Sequence, residues 1–527
     1  MVLKYKLNSL DLKALKLFAI AAALLFSGLN ANPIYIKDEA KNAQCAREMH
    51  KRNDLLIPTF NGRLRSDKPP FPYFAMYASY KLFGVNPFAS RFFSAICGML
   101  TLFLVYHISK KYLNKETALI SVCLLLSSFH FLFEFRMAVP DPYLIFFTTS
   151  TILSYFLYTQ NNRWIYLLIC AVTAAAGFLS KGPIALILPL IALFIWSLWD
   201  RKMHFLFSIK TTFCILFSFV LIVPWFLKIH QETNGLYTHD FFITNNVNRF
   251  NDTMEGHSGN AFSIILFVVV GMLPATLFIE YPIRNLIKHS TPSLIKLSVS
   301  CVLVIIGFFC FSNTKLPNYP MPAYPFIAII IAYGIQQAQA ALHKKYIWVA
   351  FLIISSLIPV SVFFLLGNIL ETKELKYWAS LLLILPISVI VLLLVKNKLS
   401  PNLILYCLFS CFFLFNFAFY NVVYPKILVR NPVIRTSSQW NSQEQLYAYQ
   451  MYNPGFTFYL DKPILILKDS ISLFNTLTED PKRKVISRLK LYENLDTSKL
   501  LLLASYPDLF ESPTTVIFKL KPKDCPN

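Results

Sequence analysis

The sequence predicts an α-helical polytopic membrane protein with a small α/β domain at its C-terminal end. Its 527 residues are 56% hydrophobic and only 14% charged, a composition too apolar for a soluble enzyme. The apolar residues are gathered into segments of membrane-spanning length, and beyond residue 424 the chain changes to mixed polar and strand-like stretches. We therefore predict a transmembrane region over residues 1–424 and a soluble region over residues 425–527.

About thirteen apolar segments are suited to cross a membrane, since a span needs roughly 17–25 mostly apolar residues including the helix ends. The predicted cores are residues 15–29, 88–108, 118–133, 143–158, 164–179, 184–198, 211–227, 262–278, 297–311, 321–335, 348–366, 378–395 and 403–419. The first segment follows a basic stretch and is also compatible with a cleaved signal peptide. That alternative leaves the next loop on the same side of the membrane.

The positions of the basic residues predict the orientation. If the N-terminus lies in the cytoplasm, every second loop carries lysine or arginine, as the positive-inside rule requires. The chain holds 49 Lys+Arg against 27 Asp+Glu, a formal net charge of +22. We interpret these cations as topology signals and contacts with anionic membrane lipids, and we expect no nucleic-acid partner.

Six short polar stretches, each with an acid, a lysine or a histidine, fall on the opposite, outer face. They lie in a first loop (residues 30–86), a second large loop (residues 228–260) and several short turns. Charged groups gathered at one face predict a single assembled active site. A transporter is expected instead to carry its ionisable groups near the bilayer midplane in paired repeats.

The first loop carries two charged pairs. Asp38 and Glu39 directly follow the first predicted span, and Asp67 and Lys68 precede two prolines. An acidic pair at the membrane surface can orient or deprotonate an acceptor, and a lysine held before rigid prolines can bind a phosphate. The alternative is a solvated loop whose charges keep it in water.

Other charges stand at the outer ends of spans. Asp141 begins an apolar run and Lys181 separates two runs, positions where charges tend to be paired or functional. Asp141 is also suited to cap a helix. His257, beside an acid, suggests a metal ligand or a proton carrier, although an isolated loop histidine is commonly neither.

Several of these motifs occur in a characteristic order. They are Asp38-Glu39, Ala46-Arg47-Glu48-Met49, Asn61-Gly62, Asp67-Lys68-Pro69-Pro70, Phe83-Gly84, Phe88-Ala89-Ser90-Arg91, Lys181-Gly182-Pro183, Arg249-Phe250, His257 and Lys315-Leu316-Pro317-Asn318-Tyr319. In them the chain resembles the polyprenyl-phosphate-sugar-dependent glycosyltransferases of the GT-C class. Within that class it is similar to bacterial lipid A aminoarabinose transferases and to relatives of the protein O-mannosyltransferases.

The resemblance implies roles for particular residues. It implies catalytic carboxylates at Asp38, Glu39 and Asp141. It implies binding of the donor phosphate by Lys68, Lys181, Tyr319, Arg249 and Lys315. It also implies a divalent-metal site at Asp67 and His257. At the position of Asp67 the aminoarabinose transferases usually carry glutamate.

The resemblance also implies an activity. It suggests an inverting transfer of a sugar from a polyprenyl (undecaprenyl) phosphate to lipid A or to protein, at the periplasmic face of a bacterial inner membrane. No nucleotide cofactor is expected, because the sequence has no Walker loop or dinucleotide-binding glycine fingerprint. A lipid or solute transporter and a scaffold subunit remain alternatives from other classes.

The C-terminal region has strand and helix patterns. Strands are predicted at residues 446–449, 456–460, 463–467, 500–504 and 515–520, and a helix at residues 470–489. We expect a periplasmic α/β domain that either covers the active site and helps to select the acceptor or serves as a passive cap.

Overall fold

The computed structural model describes residues 11–248, 259–280, 291–338, 344–440 and 444–522. Its α-helices are Leu12–Phe26, Lys37–Arg52, Phe71–Phe83, Pro87–Tyr112, Lys115–Ser127, Phe129–Phe135, Asp141–Asn161, Trp164–Lys181, Ile184–Trp199, Met203–Leu206, Ile209–Glu232, Leu236–His239, Ala261–Gly271, Ser293–Phe311, Tyr324–Gln337, Lys345–Asn368, Ile384–Val395, Pro401–Ala418, Tyr424–Leu428, Pro432–Ser437, Gly455–Leu460, Ser470–Glu479 and Leu489–Glu493. The 3₁₀ segments are Ala275–Phe278, Met321–Ala323, Leu370–Leu383, Lys396–Lys398 and Thr497–Lys499. The segments Asp240–Asn248 and Phe419–Val423 are π-helical.

The helical polytopic class predicted from the sequence is confirmed. Each predicted core overlaps one or more of these helices. By length and composition alone, 7 helices of the described residues are suited to cross a membrane, or 8 if one bent pair is a single span. Other apolar helices are shorter than that criterion, so the figure of thirteen stays a prediction.

One predicted span is sharply bent. The helices Lys115–Ser127 and Phe129–Phe135 meet at an angle of 75°. Ser128 stands at the bend, where its hydroxyl accepts from the Phe131 amide and donates to the Gly271 carbonyl oxygen at 2.6 Å. The bend brings the second helix, and the turn that follows it, to the wall of an internal cavity.

The first loop is well ordered. It contains the helix Lys37–Arg52, a hairpin of β1 (Thr59–Phe60) and β2 (Arg63–Leu64), and the helix Phe71–Phe83. Asn61 and Gly62 connect the two strands with φ angles of 53° and 74°. Asn-Gly is the pair that a tight hairpin turn with two positive φ angles favours.

A mixed sheet follows the last membrane helices. Its strands are β3 (Leu446–Tyr449), β4 (Ile464–Leu467), β5 (Val485–Arg488), β6 (Leu500–Pro507) and β7 (Thr514–Leu520), in the order β4-β3-β5-β7-β6. β3 runs parallel to β4 and β5, and β7 runs antiparallel to β5 and β6.

Two predictions for this region were wrong. Residues 456–460 form the helix Gly455–Leu460, which begins after Pro454 with the Gly455 amide donating to the Asn453 side chain. The predicted helix over residues 470–489 ends at Glu479, before Asp480-Pro481, because proline disfavours a helical residue before it. Val485–Arg488 is then free to pair as the central strand β5.

The sheet packs on both faces, because alternate residues of a strand point to opposite sides. Ile486 and Ile517 belong to the same apolar core as the membrane helices. Val485 and Phe518 pack with Leu473 of the helix Ser470–Glu479 on the other face. The sheet is therefore joined to the helical region by a continuous core.

A buried ion pair inside the sheet provides a stability test. Arg488 Nη1 donates to Asp508 Oδ2 at 2.5 Å, and both side chains are almost fully buried. Asp508→Ala should lower the free energy of unfolding by about 3–5 kcal/mol, because Arg488 would remain buried without its counter-charge. Thermal unfolding in detergent measures the loss, and a midpoint unchanged from wild type would contradict it. Lys499→Ala, in an exposed pair with Asp496, is the control and should have little effect.

Candidate active site

A cavity of about 680 Å³ lies where the first loop meets the membrane helices. This volume is typical of a small-molecule or cofactor pocket. Its ionisable and phenolic lining residues are Asp38, Asp67, Lys68, Glu134, Asp141, Lys181 and Tyr319. Its apolar lining includes Phe133, Leu144, Ile184, Phe241, Phe242 and Phe308. The cavity thus joins a polar region to an apolar wall.

The adjacent acids Asp38 and Glu39 have different surroundings. Both lie in the first turn of the helix Lys37–Arg52, where negative charge is favoured by the helix dipole. Successive helical residues point in directions about 100° apart. Asp38 is exposed and lines the cavity, whereas Glu39 is only 1% exposed and points into the protein.

Glu39 is held in a buried ion pair. Arg91 donates to both of its carboxylate oxygens at 2.7 Å, and the Ala138 amide donates to Oε1 at 2.9 Å. The described structure therefore places Glu39 away from the cavity lining, in contrast to the catalytic position that the sequence suggested. The ion pair attaches the helix that carries Asp38 to the helix Pro87–Tyr112.

The buried side chain of Arg65 supports the segment that carries Asp67 and Lys68. Arg65 is buried, donates to the Tyr73 hydroxyl at 2.9 Å and to the Asn42 side chain at 3.1 Å, and lies 3.1 Å from Asp67 Oδ1. These contacts set the backbone from which Asp67 and Lys68 reach the cavity.

A second support comes from the segment before the π-helix. The Tyr237 hydroxyl donates to the Lys68 carbonyl oxygen at 2.7 Å. The Ser66 hydroxyl donates to Asp240 at 3.2 Å. The Asp67-Lys68 segment is therefore fixed against the wall formed by Asp240–Asn248.

Asp141 and Lys181 form an ion pair at the cavity. The Lys181 ammonium donates to Asp141 Oδ1 and lies 5.5 Å from the centre of the Tyr319 ring. The alternative in which Asp141 caps its helix is wrong, because Pro140 is the N-cap and Asp141 is the first residue of the helix. Three predicted residues from distant parts of the sequence are thus brought together.

Gly182 allows the π-helix to approach Lys181. Its φ angle is 84°, and a Cβ atom there would lie 2.8 Å from the Phe241 ring. Only glycine meets both conditions without strain. Phe241 can therefore form part of the apolar wall next to the Lys181–Asp141 pair.

Lys315 has a different role from the predicted one. Its ammonium is buried and donates to the carbonyl oxygens of Phe309, Cys310 and Ser312. It stabilises the C-terminal end of the helix Ser293–Phe311. Because the Lys315 ammonium directs its hydrogen bonds to these carbonyl groups, we assign Lys315 a structural role and not a role in phosphate binding.

Two predicted site residues, Arg249 and His257, lie outside the described residues. In the part of the chain that is described, no group of three or more His, Cys, Asp or Glu side chains is arranged to hold a metal ion. Asp67 lies beside the positive charge of Arg65, which opposes metal binding. The described donors therefore do not fit a metal site, and the pairing of Asp67 with His257 stays a prediction.

Sequence reasoning missed three polar residues at or beneath the cavity. Glu134 and Asn42 line it, and Arg65 supports Asp67. Glu134 lies in the apolar helix Phe129–Phe135 without a surrounding motif, so only its burial at the cavity draws attention to it.

Known proteins resemble this chain in sequence and in fold. Residues 18–238 match the family described as dolichyl-phosphate-mannose-protein mannosyltransferase. An uncharacterised protein of Aquifex aeolicus is 28% identical over 84% of this chain and 85% of that protein. The undecaprenyl phosphate-alpha-4-amino-4-deoxy-L-arabinose arabinosyl transferase of Shewanella sediminis is 27% identical over 61% of this chain, a match that spans 59% of that relative.

Solved structures share the fold over most of the chain. ArnT from Cupriavidus metallidurans, bound to undecaprenyl phosphate, superposes with a TM-score of 0.78 at 17% identity, over 98% of this chain and 99% of that one. The archaeal oligosaccharyltransferase AglB from Archaeoglobus fulgidus superposes with a TM-score of 0.52 at 11% identity, over 90% of this chain and 69% of that one.

The chain is thus similar in sequence and in fold to glycosyltransferases of the GT-C class. The resemblance inferred from the first-loop motifs is therefore confirmed. The cavity with Asp38, Lys68, Asp141 and Lys181 is the candidate active site.

The position of Glu39 leads to a first prediction for the site. Glu39→Ala should lower the free energy of unfolding by about 3–5 kcal/mol, because Arg91 would be buried without its partner. Thermal unfolding in detergent measures this loss, with Asp38→Ala as the control that should unfold like wild type. An inactive Glu39→Ala protein with wild-type stability would instead support a direct catalytic role.

The pH dependence of stability tests the surroundings of Asp67. Burial raises the pKa of Asp67, but the positive charges of Arg65, Lys68 and Lys41 outweigh it and hold the pKa below its usual value. The ionised form thus stabilises the fold above about pH 4, and this contribution is lost as the pH falls through the lowered pKa.

Asp67→Asn should therefore be less stable than wild type at neutral pH, with a difference that narrows in acid. Thermal unfolding of both proteins across the acid range measures this. A difference that widens as the pH falls would contradict the assignment.

Proposed function

We propose that this transferase moves a sugar from a polyprenyl phosphate, undecaprenyl phosphate in a Gram-negative host, to lipid A. The observation that carries the proposal is the single cavity in which the Asp38 carboxylate, the cations Lys68 and Lys181 and an apolar wall occur together. The similar proteins support it, since one is named as a transferase of undecaprenyl phosphate-linked 4-amino-4-deoxy-L-arabinose and another was solved with undecaprenyl phosphate bound.

The cavity matches the three parts of such a donor. Phe241, Phe242 and Ile184 offer an apolar surface for the first isoprene units of the lipid. Lys68 and Lys181, with Tyr319 beside Lys181, are suited to the phosphate. The sugar would then lie toward the carboxylates, where the acceptor can approach its anomeric carbon.

The leaving group explains why cations are needed. Breaking the bond between the sugar and the phosphate leaves a lipid phosphate with an added negative charge. Lys68 and Lys181, already placed at the cavity, stabilise that developing charge in the transition state. Lys181 would exchange its contact with Asp141 for one with the phosphate.

The carboxylates act on the acceptor side. Asp38 would accept the proton of an acceptor hydroxyl, whereas an ionised acceptor phosphate is already nucleophilic and needs only orientation. Asp141, released from Lys181, would orient the sugar or the acceptor. Attack opposite the lipid phosphate in one step inverts the anomeric centre, and we propose an inverting transferase. The proposal includes no step through a metal.

Protein is the second candidate acceptor. It is favoured by the match of residues 18–238 to the protein mannosyltransferase family. The two candidates share the donor chemistry and differ only in the group that attacks.

The proposed location follows the predicted topology. The N-terminus would lie in the cytoplasm, and the cavity, the first loop (residues 30–86) and the second loop (residues 228–260) at the periplasmic face of the inner membrane. Residues 1–424 would form the catalytic membrane domain. Residues 425–527 would form a periplasmic domain that covers the cavity and helps to select the acceptor.

Removing Lys181 tests the phosphate assignment. Lys181→Met should lower kcat by about 100- to 1,000-fold, the usual effect of deleting one preorganised contact with a developing charge. Transfer by the purified protein in lipid nanodiscs measures this. Lys296→Met is the matched control, because Lys296 also pairs with an aspartate, Asp200 at 3.0 Å, away from the cavity. A loss no larger than that of the control would contradict the role of Lys181.

The whole proposal is tested by mass spectra of intact lipid A. A strain without the gene would be complemented with wild type or with Asp38→Asn. A sugar-sized mass that is lost on deletion and restored only by wild type establishes lipid A as the acceptor and supports catalysis by Asp38. An unchanged lipid A spectrum contradicts that acceptor, and glycoproteins of the same strains then test the second candidate.

A further inference from the structure

Glu134 is a buried acid at the wall of the candidate active site. It lies in the helix Phe129–Phe135, after the 75° bend, and is 5% exposed. It lines the cavity together with Asp38, Asp141 and Lys181. Its Oε1 atom is inaccessible and accepts no hydrogen bond from the residues that the structure describes.

The other buried acids of the described ranges have partners. Glu39 pairs with Arg91, Asp141 with Lys181, and Asp508 with Arg488. A buried polar group without a partner costs about 1–3 kcal/mol, and a charged group costs more. The position of Glu134 is therefore unfavourable in the protein alone.

The neighbours of Glu134 are already engaged. Lys181 donates to Asp141. His130, one helical turn earlier, hydrogen-bonds through Nδ1 with the Tyr324 hydroxyl at 2.9 Å. A partner for Glu134 is thus expected from a molecule that enters the cavity, since unfavourable groups of this kind occur where a ligand completes them.

The position of Glu134 indicates which part of the donor it contacts. The cations Lys68 and Lys181 suit the phosphate, and the apolar wall suits the lipid chain. An additional carboxylate beside a phosphate would be repulsive, and beside a lipid chain it would lack a hydrogen-bond donor. The sugar ring is the part of the donor that offers hydrogen-bond donors to a carboxylate.

We infer that Glu134 binds the donor sugar by accepting a hydrogen bond from a hydroxyl or amino substituent of the ring, and that it contributes to the choice of sugar. This inference rests on the proposed polyprenyl-phosphate donor. It assigns Glu134 to recognition of the sugar, a role separate from binding of the phosphate by Lys68 and Lys181.

The experiment compares two probes that differ by the sugar. Undecaprenyl phosphate contains only the lipid and phosphate, whereas undecaprenyl phosphate-4-amino-4-deoxy-L-arabinose also contains an aminated ring. Binding of each is measured for wild type, Glu134→Ala and Glu134→Gln in nanodiscs. Glu134→Ala should weaken binding of the sugar-bearing probe by about 10- to 100-fold and leave the affinity for undecaprenyl phosphate unchanged.

Glu134→Gln and a second sugar probe distinguish the two substituents. An amide oxygen still accepts from a hydroxyl, but it carries no charge to attract an ammonium group. If an amine is bound, the glutamine variant should therefore bind the aminated probe clearly more weakly than wild type. If a hydroxyl is bound, it should keep most of its affinity, and undecaprenyl phosphate-L-arabinose should bind like the aminated probe. Either pattern supports the inference.

Thermal stability separates recognition from a structural role. Removing an acid that has no partner should leave the unfolding midpoint unchanged or raise it, as expected where function is maintained at a cost in stability. Glu116→Gln is the control and should bind both probes like wild type. Glu116 is a half-buried acid that accepts a hydrogen bond from the Tyr406 hydroxyl, away from the cavity.

Two results would overturn the inference. Equal binding of the sugar-bearing probe by wild type and Glu134→Ala would exclude the contact while leaving the proposed donor chemistry intact. An equal loss for both probes, with lower stability, would show that Glu134 supports the fold. Failure of wild type to bind undecaprenyl phosphate would contradict the proposed function itself.

Discussion

The buried ion pair between Arg91 and Glu39 organises the candidate active site. Arg91 also donates to the carbonyl oxygens of Leu29 and Asn32, at 2.8 and 2.5 Å, where the first helix gives way to the first loop. The Ala138 amide completes the coordination of Glu39. Buried charges are tolerated only when their hydrogen-bonding capacity is satisfied. The pair therefore fixes three segments relative to one another, and Asp38 reaches the cavity as a consequence.

The cavity contains charges that are compensated before any substrate enters. Lys181 is held by Asp141, and Asp67 lies beside Arg65. Such pairs keep charged side chains at defined positions at the membrane boundary, where an uncompensated charge is costly. A phosphate that binds Lys181 replaces one anion by another, so the site does not have to gather its cations during the reaction. Among the buried acids of the described residues, Glu134 lacks such an ion-pair partner, which is why its partner is sought in a bound molecule.

The C-terminal sheet is attached directly to the first loop. Asn61 exchanges two hydrogen bonds with the backbone of Ile464, at 2.7 and 2.8 Å. The Leu509 amide donates to the Tyr35 hydroxyl at 2.9 Å. Tyr35 precedes Asp38 by less than one helical turn. The sheet thus contacts the segment that carries the candidate catalytic acid. Of the two roles that the sequence left open for this region, the contact favours a part in the site over that of a passive cap.

Composition, motif spacing and the family resemblance predicted the membrane class, the order of the helices and one site at the outer face that includes Asp38, Lys68, Asp141, Lys181 and Tyr319. These features follow from local sequence, since apolar length defines a possible span and the basic loops orient it. That these five residues surround one cavity is a property of the structure.

Only the tertiary structure shows that Asp38 lines the cavity whereas Glu39 pairs with Arg91. It places the Lys315 ammonium at a helix end and Glu134 at the cavity. It also made Val485–Arg488 a strand, because β3 and β7 flank it. In each case the outcome depends on a partner far away in the sequence, and no local pattern specifies which buried group that partner will be. Local sequence determined the chemical groups of this protein, and long-range packing decided which of them line the cavity.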